Sequence, residues 1–120
     1  MYHILILADN ANLGHQLVEW TKNYCEKQGI FPLIEQYEDS ENFYNTLRNS
    51  KPSGVIVALY GVAGLNASER ILSLCPKCRL IWCSDLDFSL HAYRLRADYF
   101  IKTPPTNEEL CVGLSVFMKY

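Results

Sequence analysis

With 120 residues, 49% of them apolar and 20% charged, and a net charge of −2, the chain has the make-up of one globular domain built on a single core. That balance is too acidic for a domain that grips nucleic acid directly. Its longest apolar runs, Ile4 to Ala8 and Val55 to Tyr60, fall far short of the ~20 residues of a membrane span, and the first residues lack a basic and apolar leader, so a cytoplasmic location is expected.

In chain order, "YHILILAD" is a nearly continuous apolar run bounded by polar residues, the pattern of a strand covered on both faces, and it ends near Ala8. Asn10 or Asn12 can cap a helix reaching about Gln28, with Leu13, Leu17, Trp20 and Tyr24 on one face and Gly29 as its stop. "FPLIEQY" reads as a second strand, and Pro32 near its start points to a sheet edge. Asp39 or Ser40 caps a short helix with Phe43, Tyr44 and Leu47 inward, and "NSKPSG" turns the chain into a buried strand ending at Ala58.

The same alternation continues with a helix around 66–74, a strand "RLIWCS", a helix around 87–96 and a strand "DYFIK". A last helix starts at Thr106, has Glu109 three residues on as a capping box, and buries Leu110, Leu114 and Phe117. Five strands alternating with five helices predict an α/β fold: a doubly wound, five-stranded parallel sheet, flavodoxin-like, filling residues 1–120 as one domain. The chain starts at its first strand and ends with its last helix, as expected of a domain that stands alone or was cut at its boundary.

Ligands of such a sheet bind at the carboxyl ends of the strands. The groups expected there are Ala8, Asp9 and Asn10, then Ala58 to Gly61, then Ser84 and Asp85, then Lys102 to Pro105. This constellation, with the element lengths between its members, resembles the receiver domain of two-component response regulators. "ILILADN" resembles the first strand running into paired acidic residues, and "PSGVIVALYGVAGLN" the strand and loop that present the phosphoacceptor. "IWCSD" is similar to the strand that ends in a hydroxyl, and "ADYFIKTPP" to the strand that ends in a lysine before a proline. The long first helix and "DFSLHAYRLRADYFIK" look most like receivers of LytTR-type transcription regulators.

Carried over by position, the resemblance puts Ala8 and Asp9 at the acidic pair, Ala58 at the phosphoacceptor, Ser84 at the hydroxyl and Lys102 at the lysine. An acyl phosphate requires a carboxylate, which a methyl group does not replace. Mg²⁺ requires hard oxygen ligands, and Asp9 alone is a poor set. The neighbouring Val57, Leu59 and Tyr60 offer no acid in another register. A degenerate phosphoacceptor pocket is therefore expected, with Tyr60 and Asp85 on its rim, no catalytic residue, no cofactor and no metal. Tyr60 either fills the volume left by phosphate and Mg²⁺ or lies on the surface. Lys102 is expected to pair with Asp9 or Asp85, because an ammonium at a partly buried strand end is costly alone.

Other motifs have plainer readings. "CPKC", 75–78, lacks a second ligand pair for zinc and lies at a helix end before a strand, where redox pairs do not usually sit, so a turn is expected. His3, His15 and His91 share no element, and a metal triad is not expected. "GVAGLN" lacks the lysine and hydroxyl of a phosphate loop, and Gly61 and Gly64 are expected to serve turns. The five cysteines are odd in number and several fall in apolar periodic segments, as reduced buried thiols do.

His91, Tyr93, Arg94, Arg96 and Tyr99 are candidates for a dimer or output face, against a default of a solvated charged surface for the arginines. Tyr93 falls where receivers often carry a signalling aromatic. The expected function is that of a receiver-like signalling domain, not an enzyme, acting without phosphorylation. It would dimerise, dock a protein partner, or serve a fused LytTR-type output domain that itself carries the DNA contact. The alternatives are a pocket that senses a small ligand and, against the missing nucleophile, an active phosphoacceptor receiver.

Overall fold

Strands β1 (His3–Ala8) and β3 (Gly54–Ala58) are apolar on both faces because both faces are covered, and they lie side by side at the centre of the sheet. The computed structural model describes residues 2–102 and 104–118. The elements run β1, α1 (Ala11–Lys27), β2 (Leu33–Tyr37), α2 (Ser40–Ser50), β3, α3 (Val62–Leu74), β4 (Arg79–Ser84), α4 (Ser89–Leu95), β5 (Tyr99–Lys102) and α5 (Asn107–Phe117). All strand pairs are parallel and the order is β2-β1-β3-β4-β5, so the predicted doubly wound fold is the observed one.

Alternate side chains of each strand feed two cores. Leu5, Leu7, Val55, Val57, Leu80 and Trp82 pack against Phe43 and Leu47 of α2, Ala67 and Ile71 of α3, and Ala92 of α4. Ile4, Ile6, Ala8, Ile56, Ala58, Ile81 and Cys83 pack on the other face against Leu17 of α1 and Leu110, Leu114 and Phe117 of α5. At 25 cal/mol per Å² of buried apolar surface, each large side chain contributes roughly 1.5–3 kcal/mol, so these two layers supply most of the drive to fold.

The helix ends follow the expected chemistry in most places. Asn10 accepts from the Leu13 N–H at 2.9 Å, and Asp39 from the Glu41 N–H at 3.0 Å. Thr106 accepts from the Glu109 N–H at 3.1 Å, while its hydroxyl donates to the Glu109 carboxylate at 3.2 Å. Strand β2 is an edge strand, as Pro32 foretold.

Helix α3 departs from expectation by starting at Val62, a full turn before the predicted Asn66. Gly61 has the positive φ of 65° expected of a turn glycine. Gly64 instead lies inside the helix, buried, where a Cβ would stand 2.3 Å from the Leu59 carbonyl oxygen and 3.2 Å from Trp82 Nε1. Its role is close packing of the helix on the sheet, which periodicity does not reveal.

Candidate functional site at the carboxyl ends of the central strands

The chain passes from β1 outward to β2 and then returns to the other side of β1 with β3, so the topological switch lies between β1 and β3. Ala8 and Ala58 are the register partners at the carboxyl end of that pair, both fully buried. Ser84 and Lys102 are the corresponding partners on β4 and β5. The fold thus brings Ala8, Asp9, Ala58, Ser84 and Lys102 to one end of the sheet, as the order of elements predicts.

Asp9 crosses the switch twice. Its N–H donates to the Ala58 carbonyl at 3.1 Å, and its Oδ2 accepts from the Tyr60 N–H at 2.8 Å. From the other side, Asp85 Oδ1 accepts from the Gly61 N–H at 2.8 Å and from the Ser84 hydroxyl at 3.4 Å. Two carboxylates, one after β1 and one after β4, therefore hold consecutive amides of the β3–α3 loop. These amides lie just outside the amino end of α3, whose N-cap Gly61 has no side chain to serve it, and negative charge there also suits the helix dipole. Ser84, fully buried, accepts from the Leu86 N–H at 3.2 Å and so shapes the turn after β4.

Lys102 differs from expectation. It is exposed and, among the described residues, forms an ion pair with neither Asp9 nor Asp85. Both carboxylates are instead engaged by backbone N–H groups, which lie closer and cost no lysine side-chain entropy. The charge of Lys102 is felt at Asp87, whose carboxyl is held below the usual range first by hydrogen bonds from the Ser89 hydroxyl and N–H and only secondarily by the ammonium. Tyr60 is 39% exposed, so its ring lies at the surface and does not fill a buried volume. Thr103, within the predicted Lys102–Pro105 segment, lies outside the described residues.

The donor set does not suit Mg²⁺. The ion wants near-octahedral oxygen ligation, whereas Ala8 and Ala58 present methyl groups and one Asp9 oxygen is occupied by the loop. Among the described residues no three His, Cys, Asp or Glu side chains are grouped to hold a metal.

Of the predicted output face, His91, Tyr93, Arg94 and Arg96 are exposed on or just after α4, with Tyr93 at 82%. Tyr99 is the exception: half-buried, it turns toward α5, where a Cβ on Gly113 would meet its ring at 2.9 Å. Beneath α4 lies an aromatic group the sequence did not announce. Trp82 stacks on Phe88 at 5.2 Å, Phe100 meets Trp82 edge-on at 5.4 Å, and His91 stands on Phe88 at 5.4 Å. Its only sequence signal is an aromatic on each of three neighbouring elements.

The fold is that of response-regulator receiver domains. No protein-family model matches the chain, and no curated protein matches it. Among solved structures it is similar to the response regulator DrrB of Thermotoga maritima, an OmpR/PhoB homologue, with a TM-score of 0.76 and 18% identity over 99% of this chain. The chain spans about half of that protein, 53% of its length. It is likewise similar to the HemR receiver domain of Leptospira biflexa, with TM-score 0.75, 19% identity, and coverage of 100% of this chain and 96% of that one. The response regulatory domain of mrkE from Klebsiella pneumoniae gives TM-score 0.77 at 14% identity, covering 98% of this chain and 95% of that one. Among the described residues no helix is long and apolar enough to cross a membrane.

Proposed function

We propose that the chain is a receiver-like signalling domain, not an enzyme, that works without phosphorylation of the strand-end pocket. The observation that carries this reading is the pair of buried methyl groups, Ala8 and Ala58, at the end of β1 and β3. No carboxylate stands there to attack phosphorus, and the adjoining loop amides are already held by Asp9 and Asp85. In place of a phosphate-dependent switch, the domain presents a preset surface. The fold's likeness to receivers of DNA-binding regulators, including a LuxR-family response regulator of Staphylococcus aureus, supports a fused DNA-binding output. A LytTR-type output rests on the resemblance of 87–102 and the 17-residue α1. His91, Tyr93, Arg94 and Arg96, with Leu90 exposed beside them, form the proposed dimer or docking face.

Amide spectra recorded with and without beryllofluoride and Mg²⁺ test the pocket. Unchanged peaks for Asp9, Tyr60 and Gly61 are expected, and saturable shifts there would overturn the reading. Sedimentation across a concentration series tests the face: a constant monomer mass would remove the homodimer and leave the docking of another protein.

A further inference from the structure

The α3–β4 turn carries two thiols that the signalling site does not use. Cys75 caps the end of α3, Pro76 and Lys77 turn the chain, and the Cys78 N–H donates to the Cys75 carbonyl at 3.1 Å. A turn closed in this way holds its end Cα atoms within about 7 Å, and a disulfide spans roughly 4.4–6.8 Å. Both thiols are free and stand at the two ends of this closed turn. Their surroundings differ. Cys78 is 6% exposed and buried beside Asp98, and burial pushes its thiol well above the ordinary value. Cys75 is half-buried and opens on a groove of about 320 Å³ that it shares with Lys51, Leu74, Pro76 and Lys77. The groove leaves the Cys75 sulfur open to a small oxidant, and partly exposed thiols are the ones that react.

We propose that Cys75 and Cys78 are a reversible redox pair, which a hydroperoxide converts to an intramolecular disulfide closing the α3–β4 turn. In the first step the Cys75 sulfur attacks the peroxide O–O bond, forming a sulfenic acid and releasing an alcohol, or water from hydrogen peroxide. In the second, the Cys78 sulfur attacks the Cys75 sulfur, and the hydroxyl leaves as water with the Cys78 proton. Two thiols and one hydroperoxide thus give one disulfide, one alcohol and one water. A dithiol reductant reverses the change by exchange. The order, exposed sulfur first and sheltered sulfur second, follows from access. The position of the motif at a helix end does not prevent this chemistry, because the turn itself supplies the proximity.

The test is treatment of the whole chain with hydrogen peroxide, alkylation under denaturing conditions, and peptide mapping. Trypsin cuts after Lys77, between the two cysteines, so the peptides carrying Cys75 and Cys78 stay joined only through a disulfide. The expected result is loss of two of the five free thiols, a mass lower by about 2 Da, that linked peptide pair, and full reversal by dithiothreitol. In Cys78→Ser, Cys75 should stop at the sulfenic acid and be trapped by dimedone. Retention of all five thiols, a linkage through Cys111 instead, or oxidation of Cys75 to the sulfinic acid with Cys78 still free in the unsubstituted chain would each overturn the proposal.

Discussion

Asp9 Oδ2 accepts the Tyr60 N–H at 2.8 Å, so a carboxylate at the end of the first strand holds the loop that leaves the third. Asp85 does the same for Gly61 from the far side. The acidic group at the end of β1 therefore serves the backbone here, and it fixes the loop together with Asp85.

Replacing Asp9 with Ala should cost about 1 kcal/mol, the usual net worth of one hydrogen bond at a partly solvated site. Asp9→Asn keeps an acceptor oxygen and should cost less. Urea unfolding of the two variants checks the order, and faster amide exchange at Tyr60 and Gly61 in Asp9→Ala checks the place.

Gly64→Ala places a methyl group against backbone, 2.3 Å from the Leu59 oxygen, so α3 must move off the sheet. A loss of roughly 1–3 kcal/mol is expected, as for overpacking elsewhere. Gly61→Ala meets nothing within 4 Å among the described residues, and its cost, roughly 1–3 kcal/mol, comes from a backbone conformation, φ 65° and ψ −154°, that essentially only glycine adopts. Thermal melts should show a loss for both variants, and a change in Trp82 fluorescence only for Gly64→Ala.

Lys102→Ala should leave stability within about 0.5 kcal/mol, because the side chain is exposed and pairs with neither Asp9 nor Asp85. A larger loss in chemical denaturation would mean that Lys102 is held more tightly than its exposure implies.

Alkaline pH should unfold the protein more readily. Burial raises the Cys83 thiol from 9.0 to about 12, and Cys78 moves in the same direction. The folded state therefore keeps protons that the unfolded chain releases above pH 9. This contribution is complete below pH 9 and is lost as pH climbs toward 12. Stability measured from pH 8 to 11 should fall, and Cys83→Ala should fall less steeply from its lower starting value.

Sequence alone determined the layered fold. Apolar runs such as "HILILA" and "GVIVA" declare strands buried on both faces, and Asn10, Asp39 and Thr106 each cap the helix that follows. It also located Asp9, Ser84 and Lys102 at one end of the sheet, since parallel strands with right-handed crossovers leave their carboxyl ends together. What only the tertiary structure decided was how those groups pair. A carboxylate reads the same in sequence whether it binds an ammonium or an amide. Distance chose the amides of Tyr60 and Gly61 over Lys102. Distance likewise turned Gly64 from a turn residue into a packing surface, Tyr99 from an exposed face toward α5, and the two cysteines of a helix end into the two ends of one closed turn. Periodicity along a chain records which face is buried, but hydrogen bonds and contacts between residues fifty positions apart depend on ångströms that only the packed molecule sets.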